Sequence, residues 1–335
     1  MTPTTSLSPI RIFEHLRAFQ ETAALKTAID LGVFTAIARG ASTVEEIANR
    51  CGASERGIRI LCDAMASSEF LSKHDGRYEN ATDTKLFLDR ESPAYMGGIA
   101  EFLCLPEMVQ GIFTTLTDAV RKGGTMMEGD GTVKDNNELW VTFARAMAPI
   151  AVPSARFIAD QLPASGDFKI LDIAAGHGMY GIAAAKRNPQ ARITALDWAA
   201  VLEVARQNAK AAGVADRYET IGGSAFDADF GSGYDAVLIT NFLHHFDMPT
   251  NEGFLKKVCA SLKPGGRALT LEFVPDAGRV SPPVPVRFAL TMLVNTPKGD
   301  AYTYEEYEPA FRGAGFSSCE IRQLETQQSV IIATK

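Results

Sequence analysis

From Phe168 onward the hydrophobic pattern changes period, and this change constrains the fold more than any other feature of the chain. The runs "KILDIAAG", "ARITALD", "RYETIGGSAF", "YDAVLITNF" and "RALTLEFV" are short and apolar, and each is separated from the next by a helical segment or a long loop. Strands that alternate with helices are joined by right-handed crossovers and form a parallel sheet covered on both faces. The last run, "CEIRQLETQQSVIIATK", reads instead as two strands joined by a short turn, which adds an antiparallel strand to that sheet. The expected fold class of this half is α/β.

The N-terminal half has a helical period. Between Ile10 and about Arg39 the residues Ile12, Leu16, Phe19, Ala23, Leu25, Ile29 and Phe34 recur with helical spacing, which predicts two helices. Their apolar positions fall on more faces than one domain covers, so a homodimer built through these helices is expected. Next, Ser42 is placed to cap a short helix with Glu45 at the capping-box position, and Ser54 opens a second helix with Ile58, Leu61 and Met65 on one face. A hairpin turning at Asp75-Gly76 completes a winged helix. A DNA-reading winged helix needs a basic stripe, and the second helix offers only Arg56 and Arg59. Its expected role is packing and dimerisation. The formal charge of -7 over 335 residues leaves no positive field for nucleic acid or an anionic membrane. Five scattered cysteines form no cluster of zinc spacing, so no metal is expected. No apolar run approaches the roughly 18 residues of a membrane span, and "MTPTTSLSPI" lacks the pattern of a signal peptide; a cytoplasmic location follows as an expectation. The expected organisation is a winged-helix domain over 1–95, a helical linker and pocket-forming region over 96–165, and a catalytic domain over 166–335. In the linker, "NELWVTFARAMAPIAV" brings Trp140, Phe143, Met147 and Ile150 onto one helical face.

The first strand of the α/β half ends in "LDIAAGHGMYGIAAA", where Gly176, Gly178 and Gly181 form a G-x-G-x-x-G pattern between a strand and a helix. That pattern alone is a weak signal. Asp197 stands at the end of the second strand, sixteen residues after Gly181, where a carboxylate can accept both hydroxyls of a ribose. The two together point to an adenosine-containing cofactor. Asp172 separates the candidates: a dinucleotide lays its pyrophosphate on the helix N-terminus and has little use for a carboxylate four residues before the first glycine, whereas the cationic methionine end of S-adenosylmethionine is compatible with one.

The order of elements resembles the class I methyltransferase fold, a seven-stranded, mostly parallel, Rossmann-like sheet with a reversed last strand. Residues 168–335 resemble the S-adenosylmethionine-dependent small-molecule O-methyltransferases that include plant caffeic-acid-type enzymes and bacterial relatives. The stretch "LKTAIDLGVFTAIARGASTVEEIANRCGASERGIRILCDAMASSEFL" is similar to their winged-helix dimerisation domain. The resemblance implies that Asp172, Ala174, Gly176 and Gly178 surround the methionine part of S-adenosylmethionine, with S-adenosylhomocysteine as product. It places Asp197 on the ribose, Trp198 beside the adenine, and Asn241 where the fourth strand opens toward the cofactor. "GGSAF" matches the family's Gly-Asp-x-Phe turn, with Ser224 in place of the aspartate, followed by Ala225 and Phe226. "FARAM" resembles a Phe-Asn-x-x-Met segment, which implies Phe143 and Met147 in the substrate pocket and Ala144 in place of the asparagine.

The stretch "TNFLHHFD" aligns His244 with the family's general base, and the ten-residue spacing to Phe254 supports that register. A phenol, of pKa about 10, is poorly nucleophilic at pH 7, and a neutral imidazole of pKa about 6.5 can accept its proton. The resemblance implies Glu272 as the carboxylate that orients His244. The family's second carboxylate falls at Ala301, and Asp300 beside it is the candidate substitute. His245 is either a core residue or part of the substrate wall. After the fifth strand, "PDAGRVSPPVPVRFALTMLVNTPKGDAY" reads as a lid whose proline cluster is neither strand nor helix, followed by an apolar wall from Phe288 to Val294 with Met292 nearest the substrate. Few charges in these walls favour an aromatic or polyketide-like acceptor. Two other readings stay open: an S-adenosylmethionine enzyme with decarboxylating, hydroxylating or rearranging chemistry, and a ligand-sensing winged-helix regulator.

Overall fold

The structure, a computed structural model, describes residues 7–129, 131–133 and 138–335. The chain divides into two compact units, Met1–Cys104 and Leu105–Lys335.

The first unit runs α1 (Ile10–Leu31), α2 (Val33–Ala38), α3 (Val44–Cys51), α4 (Glu55–Ser67), β1 (Leu71–His74), β2 (Arg77–Asn80), α5 (Thr82–Phe87) and α6 (Ile99–Leu103). Phe34, Ile47, Ile58, Met65 and Tyr78 form its core. The hairpin between β1 and β2 turns at Asp75 and Gly76, at φ 49° and 74°, the two positive angles that a tight hairpin turn requires. Ser54 caps α4 by accepting from Gly57 N at 3.1 Å. The cap of α3 differs from the expected register: Thr43, not Ser42, is the N-cap, and Glu46, not Glu45, closes the box. The sequence "STVEE" contains both registers. In the observed one a single carboxylate, Glu46, accepts from Ser42 N at 2.8 Å and Thr43 N at 3.0 Å, so one side chain satisfies two backbone donors. Those donors hold the Glu46 carboxyl down at about 2. Along α1 the apolar side chains of Ile10, Ile12, Phe13, Leu16 and Phe19 are all more than half exposed.

The second unit opens with α7 (Pro106–Lys122) and α8 (Glu138–Asp160), followed by β3 (Phe168–Ile173), α9 (Met179–Arg187), β4 (Ala191–Asp197), α10 (Ala199–Ala211), β5 (Tyr218–Gly222), β6 (Tyr234–Thr240), α11 (Met248–Ser261), β7 (Leu262–Glu272), α12 (Pro283–Asn295), α13 (Tyr304–Gly313), β8 (Ser318–Gln323) and β9 (Ser329–Thr334). The seven-stranded sheet has the order β5-β4-β3-β6-β7-β9-β8. Pairs from β5 to β7 are parallel, and β9 runs antiparallel to both β7 and β8. Ile170, Leu171, Val237 and Leu238 are essentially inaccessible, as strands covered on both faces require. Strand order reverses between β3 and β6, and α/β sheets bind ligands in the crevice at the carboxyl ends of such a pair.

One element departs from the expected lid. Pro283 and Pro285 lie inside the first turn of α12, so part of the proline cluster is helical after all. The first N–H groups of a helix have no acceptor within it, and prolines there forfeit no hydrogen bond. Residues Ile99–Lys122 reach a mean hydropathy of 1.2, a value compatible with a membrane span by composition. They are nevertheless divided, since α6 ends at Leu103 and Pro106 opens α7.

The two cap registers are separable by experiment. Thr43→Ala is expected to lower the unfolding free energy by about 1 kcal/mol, the usual cost of losing an N-cap. Ser42→Ala should cost less. Urea denaturation in which Ser42→Ala is the more damaging would return the cap to Ser42.

Candidate active site

At the carboxyl end of β3 the chain makes three left-handed residues in close succession: Ala174 at φ 51°, Gly176 at 56° and Gly178 at 75°. The glycines have different reasons for being there. A Cβ on Gly178 would lie 2.5 Å from the Tyr218 hydroxyl, and one on Gly181 would lie 2.7 Å from Ile193 Cγ2 and 2.8 Å from Asp172 Oδ2. Both therefore let α9 press against the sheet. A Cβ on Gly176 would meet nothing nearer than 3.8 Å, so this glycine leaves open the side of the loop that faces the crevice.

Behind the loop, Asp172 is fully buried. Its Oδ2 accepts from Gly181 N at 3.0 Å, while Oδ1 has no partner among the described residues. Burial pushes this carboxyl up to about 8; the Gly181 N–H opposes the rise and the nearby Asp197 charge adds to it. Asp197, at the end of β4, accepts from Gly176 N at 2.8 Å and from Trp198 N at 2.7 Å. Burial raises it to about 6 against those two donors. His177, between the two loop glycines, accepts from Met179 N at 3.1 Å through Nδ1, and burial lowers its pKa to about 4. It is a neutral ring with its proton on Nε2.

These residues border a cavity whose empty space, counted out to its open mouth, is about 1000 Å³. Ala174, Gly176, Asp197 and Trp198 form one side of it, and Ser224, Ala225, Phe226 and Asn241 another. Phe226 belongs to an aromatic group with Phe246 at 4.8 Å and Phe254 at 5.3 Å between ring centroids. Asn241 is itself left-handed, at φ 53°, and its Oδ1 accepts from Gln328 Nε2 at 2.6 Å. From α8, Phe143 reaches the wall together with Trp140, the two rings meeting edge-on at 5.6 Å. His177, Tyr180 and Trp140 also line the cavity, and sequence reasoning did not assign them there. A histidine set between two loop glycines was the one signal that could have pointed to His177.

The histidine turn follows β6. Glu272, fully buried at the end of β7, accepts from Phe242 N at 3.0 Å and Leu243 N at 2.8 Å through Oε1. Its Oε2 lies 2.5 Å from His244 Nδ1. A carboxylate can only accept, so Nδ1 carries a proton, and in the neutral ring Nε2 is then the acceptor. His244 is 3% exposed and lies deeper than the cavity wall, its ring 4.4 Å from that of His245 and 4.8 Å from that of Phe288. Of this pair, His245 is the one on the wall. It meets Trp140 edge-on at 5.4 Å, and its Nδ1 is buried with no partner among the described residues. Burial, and then the adjacent His244, hold its pKa well below the ordinary value, so the ring is neutral.

Four expectations are not met by the geometry, the first being Gly178, which packs against Tyr218 and Ala205 and does not line the cavity. The Asp300 carboxylate reaches neither histidine: Oδ1 accepts from Ala301 N at 2.8 Å and Oδ2 lies 3.5 Å from an Arg279 guanidinium nitrogen. Its loop is pressed backbone to backbone against the turn, since Asp300 N donates to His244 O at 3.0 Å and a Cβ on Gly299 would be 2.3 Å from that same oxygen. The side chain is therefore turned away. Met147 and Met292 are not on the wall of this cavity; Met292 is only 4% exposed, and from α12 it is Phe288 that contacts His244. Helical periodicity identified the apolar face without showing which of its residues reaches furthest.

The chain matches two family models, an O-methyltransferase domain over residues 113–317 and an O-methyltransferase dimerisation domain over residues 13–90. It is 28% identical over 319 residues to the 3-hydroxy-5-methyl-1-naphthoate 3-O-methyltransferase of Streptomyces sahachiroi, an alignment that covers 94% of this chain and 92% of that one. The fold superposes with a TM-score of 0.94 on the crystal structure of a candidate O-methyltransferase from Nostoc punctiforme, 45% identical, covering 98% of this chain and 100% of the other. It superposes with a TM-score of 0.86 on human N-acetylserotonin methyltransferase solved with S-adenosylmethionine, a likeness of fold at 22% identity that covers 100% of this chain and 99% of the other.

Asp172 makes the stability of the ligand-free protein depend on pH. Its folded carboxyl holds a proton up to about pH 8, whereas the unfolded one releases it near 3.8. Between those values the folded state binds the extra proton, so the Asp172 contribution to stability falls as pH rises through the window. Asp172→Asn removes that dependence. Scanning calorimetry should show the variant gaining in Tm on the wild type from pH 5 to pH 8; a difference that stays constant contradicts the buried, protonated carboxyl.

Proposed function

Because this chain belongs to the O-methyltransferase family, we propose that it moves a methyl group from S-adenosylmethionine to a hydroxyl of an aromatic or polyketide-like small molecule, with His244 as the general base. The observation that carries this reading is the 2.5 Å contact between Glu272 and His244 Nδ1, which directs the Nδ1 proton to the carboxylate and leaves Nε2 as the ring nitrogen available to an acceptor hydroxyl.

The cavity fits the cofactor. Asp197 keeps free lone pairs after its two N–H donors, and these suit a pair of ribose hydroxyls. The open side of Gly176 admits a chain that must approach the backbone, and Trp198 and Phe226 offer faces to a flat base. Among the described residues that line the cavity, none is a lysine or arginine, so nothing there repels a sulfonium. Bound in this place, S-adenosylmethionine supplies a methyl group already activated by the positive sulfur. What remains for the protein is to align the acceptor and remove its proton. His244 takes the hydroxyl proton on Nε2, and Glu272 stabilises the imidazolium while its other oxygen keeps the turn in place. His245 and Phe143 on the cavity wall, with Phe288 against the His244 ring, make neutral, mostly aromatic surroundings, which favour a planar unphosphorylated substrate.

A second reading has one observation in its favour. Ala301 is fully buried where the family resemblance implies a second carboxylate, and no described carboxylate besides Glu272 contacts His244. Under this reading the cofactor is the same and the chemistry is one of the non-methylating reactions. Assembly as a homodimer would cover the apolar face of α1, and the match to the dimerisation family supports it.

His244→Ala is expected to lower turnover by roughly 10²- to 10⁴-fold while leaving the affinity for S-adenosylhomocysteine nearly intact. Raising the pH toward the pKa of the acceptor should restore part of the loss, and Glu272→Gln should give an intermediate defect. Wild-type turnover in the His244 variant at pH 7 would remove it as the base and favour the second reading. For the dimer, light scattering should give twice the mass of the chain, and Leu16→Glu should shift the protein toward the monomer. A wild-type monomer at micromolar concentration would refute the assembly.

A further inference from the structure

One wall of the cavity is fastened from behind by a single side chain. Lys257, on α11, donates from its ammonium to three main-chain carbonyls: Ala225 O at 3.2 Å, Phe226 O at 2.8 Å and Ala228 O at 2.7 Å. An ammonium has three donors, and all three are used on one short turn. The same nitrogen lies 4.5 Å from the centroid of the Phe230 ring, so a cation–π contact fixes the far side of the head group. Two of the residues held in this way, Ala225 and Phe226, line the cavity, whereas Lys257 does not.

Ala225 and the Phe226 ring anchor the turn by packing, and its main chain is held by few other hydrogen bonds. Inside it, Asp227 N and Ala228 N donate to Ser224 O, and Phe226 N donates to Ser224 Oγ at 3.2 Å. Ser224 stands where the resembling family has an aspartate, so this wall presents a hydroxyl and main-chain groups to a ligand rather than a carboxylate. Recognition through main-chain groups is only as good as the placement of the main chain.

We propose that Lys257 is a positioning residue for the cofactor, setting the Ser224–Phe226 wall against which the adenine end rests. The proposal rests on the S-adenosylmethionine reading of the cavity. Its mechanism is geometric: the ammonium draws three carbonyls to one point, and the backbone between them has one way to satisfy that demand. Arginine keeps the charge and several N–H donors and should hold the turn approximately; methionine keeps the apolar stem and leaves all three carbonyls without their donor.

Calorimetric titration with S-adenosylhomocysteine tests the assignment. Lys257→Met should bind it roughly ten- to a hundredfold more weakly, the loss expected when charged hydrogen bonds that order a site are removed. Lys257→Arg should recover most of the affinity. In turnover assays the defect should appear in the KM for S-adenosylmethionine rather than in kcat, and free adenosine should lose affinity by the same factor as S-adenosylhomocysteine. If Lys257→Met does not fold, Lys257→Gln, which can still serve one carbonyl, carries the same comparison. Wild-type affinity in either folded variant overturns the proposal, and so does a fall in kcat equal to the fall in affinity, because that reports a general loosening of the fold. Failure of the wild-type protein itself to bind S-adenosylhomocysteine would instead overturn the cofactor reading.

Discussion

The site depends on a carboxylate that has no exposed surface. Glu272 ends β7, and its two oxygens collect the N–H groups of Phe242 and Leu243 and the Nδ1 proton of His244. A buried carboxylate without donors would be costly to the fold, and three donors in good geometry offset that cost. The same bonds join β7 to the turn after β6 and select the imidazole tautomer. Asp172, equally buried at the end of β3, has one donor and an unpartnered oxygen. Two carboxyl groups in one sheet thus differ in how fully they are satisfied: Glu272 collects three donors and Asp172 one.

The remaining parts of the turn are held against this anchor through backbone groups. Asn251, fully buried on α11, donates to Leu243 O at 2.9 Å, and the Tyr302 hydroxyl donates to Phe246 O at 2.8 Å. Asp300 N takes the carbonyl between them, that of His244. Every carbonyl named here belongs to the short segment that carries both histidines, whose main chain is thus held by two side chains and one backbone N–H. Lys257 uses the same device on the Ser224–Ala228 turn. Binding elements on loops are thus made rigid by the helix and loops that lie behind them.

Much of the fold was legible in the sequence because its signals are local and repeated. Alternating strand and helix patterns gave the parallel sheet, the final pair of strands gave the reversed β9, and Asp75-Gly76 located the hairpin. Where the sequence offered two equal registers, as in "STVEE", only the three-dimensional accounting of N–H donors decided between Ser42 and Thr43. The prolines of α12 misled for a related reason: proline excludes a helix interior and is welcome in its first turn, and composition does not say which. In the site, the glycine pattern, the spacing to Asp197 and the family resemblance pointed to residues that the fold gathers at the carboxyl ends of β3, β4 and β6. Asp300 was not, because its neighbour in sequence says nothing of the direction in which its side chain leaves the backbone.

The charges left around the cavity have a direction of their own. Asp197 is the one ionisable carboxylate among the described wall residues, Asp172 lies behind the loop, and the ring of His245 is kept neutral by burial and by its neighbour. A site of this kind favours a cationic ligand over a neutral one of the same shape. Methyl transfer removes the positive charge from sulfur, so the field that helps loading does not equally retain the product. If His245 were protonated instead, it would set a positive charge on the cavity wall and oppose a cationic ligand. Its neutrality comes from the same apolar packing, against Trp140 and His244, that closes this end of the cavity. The packing that shapes the pocket therefore also decides its charge.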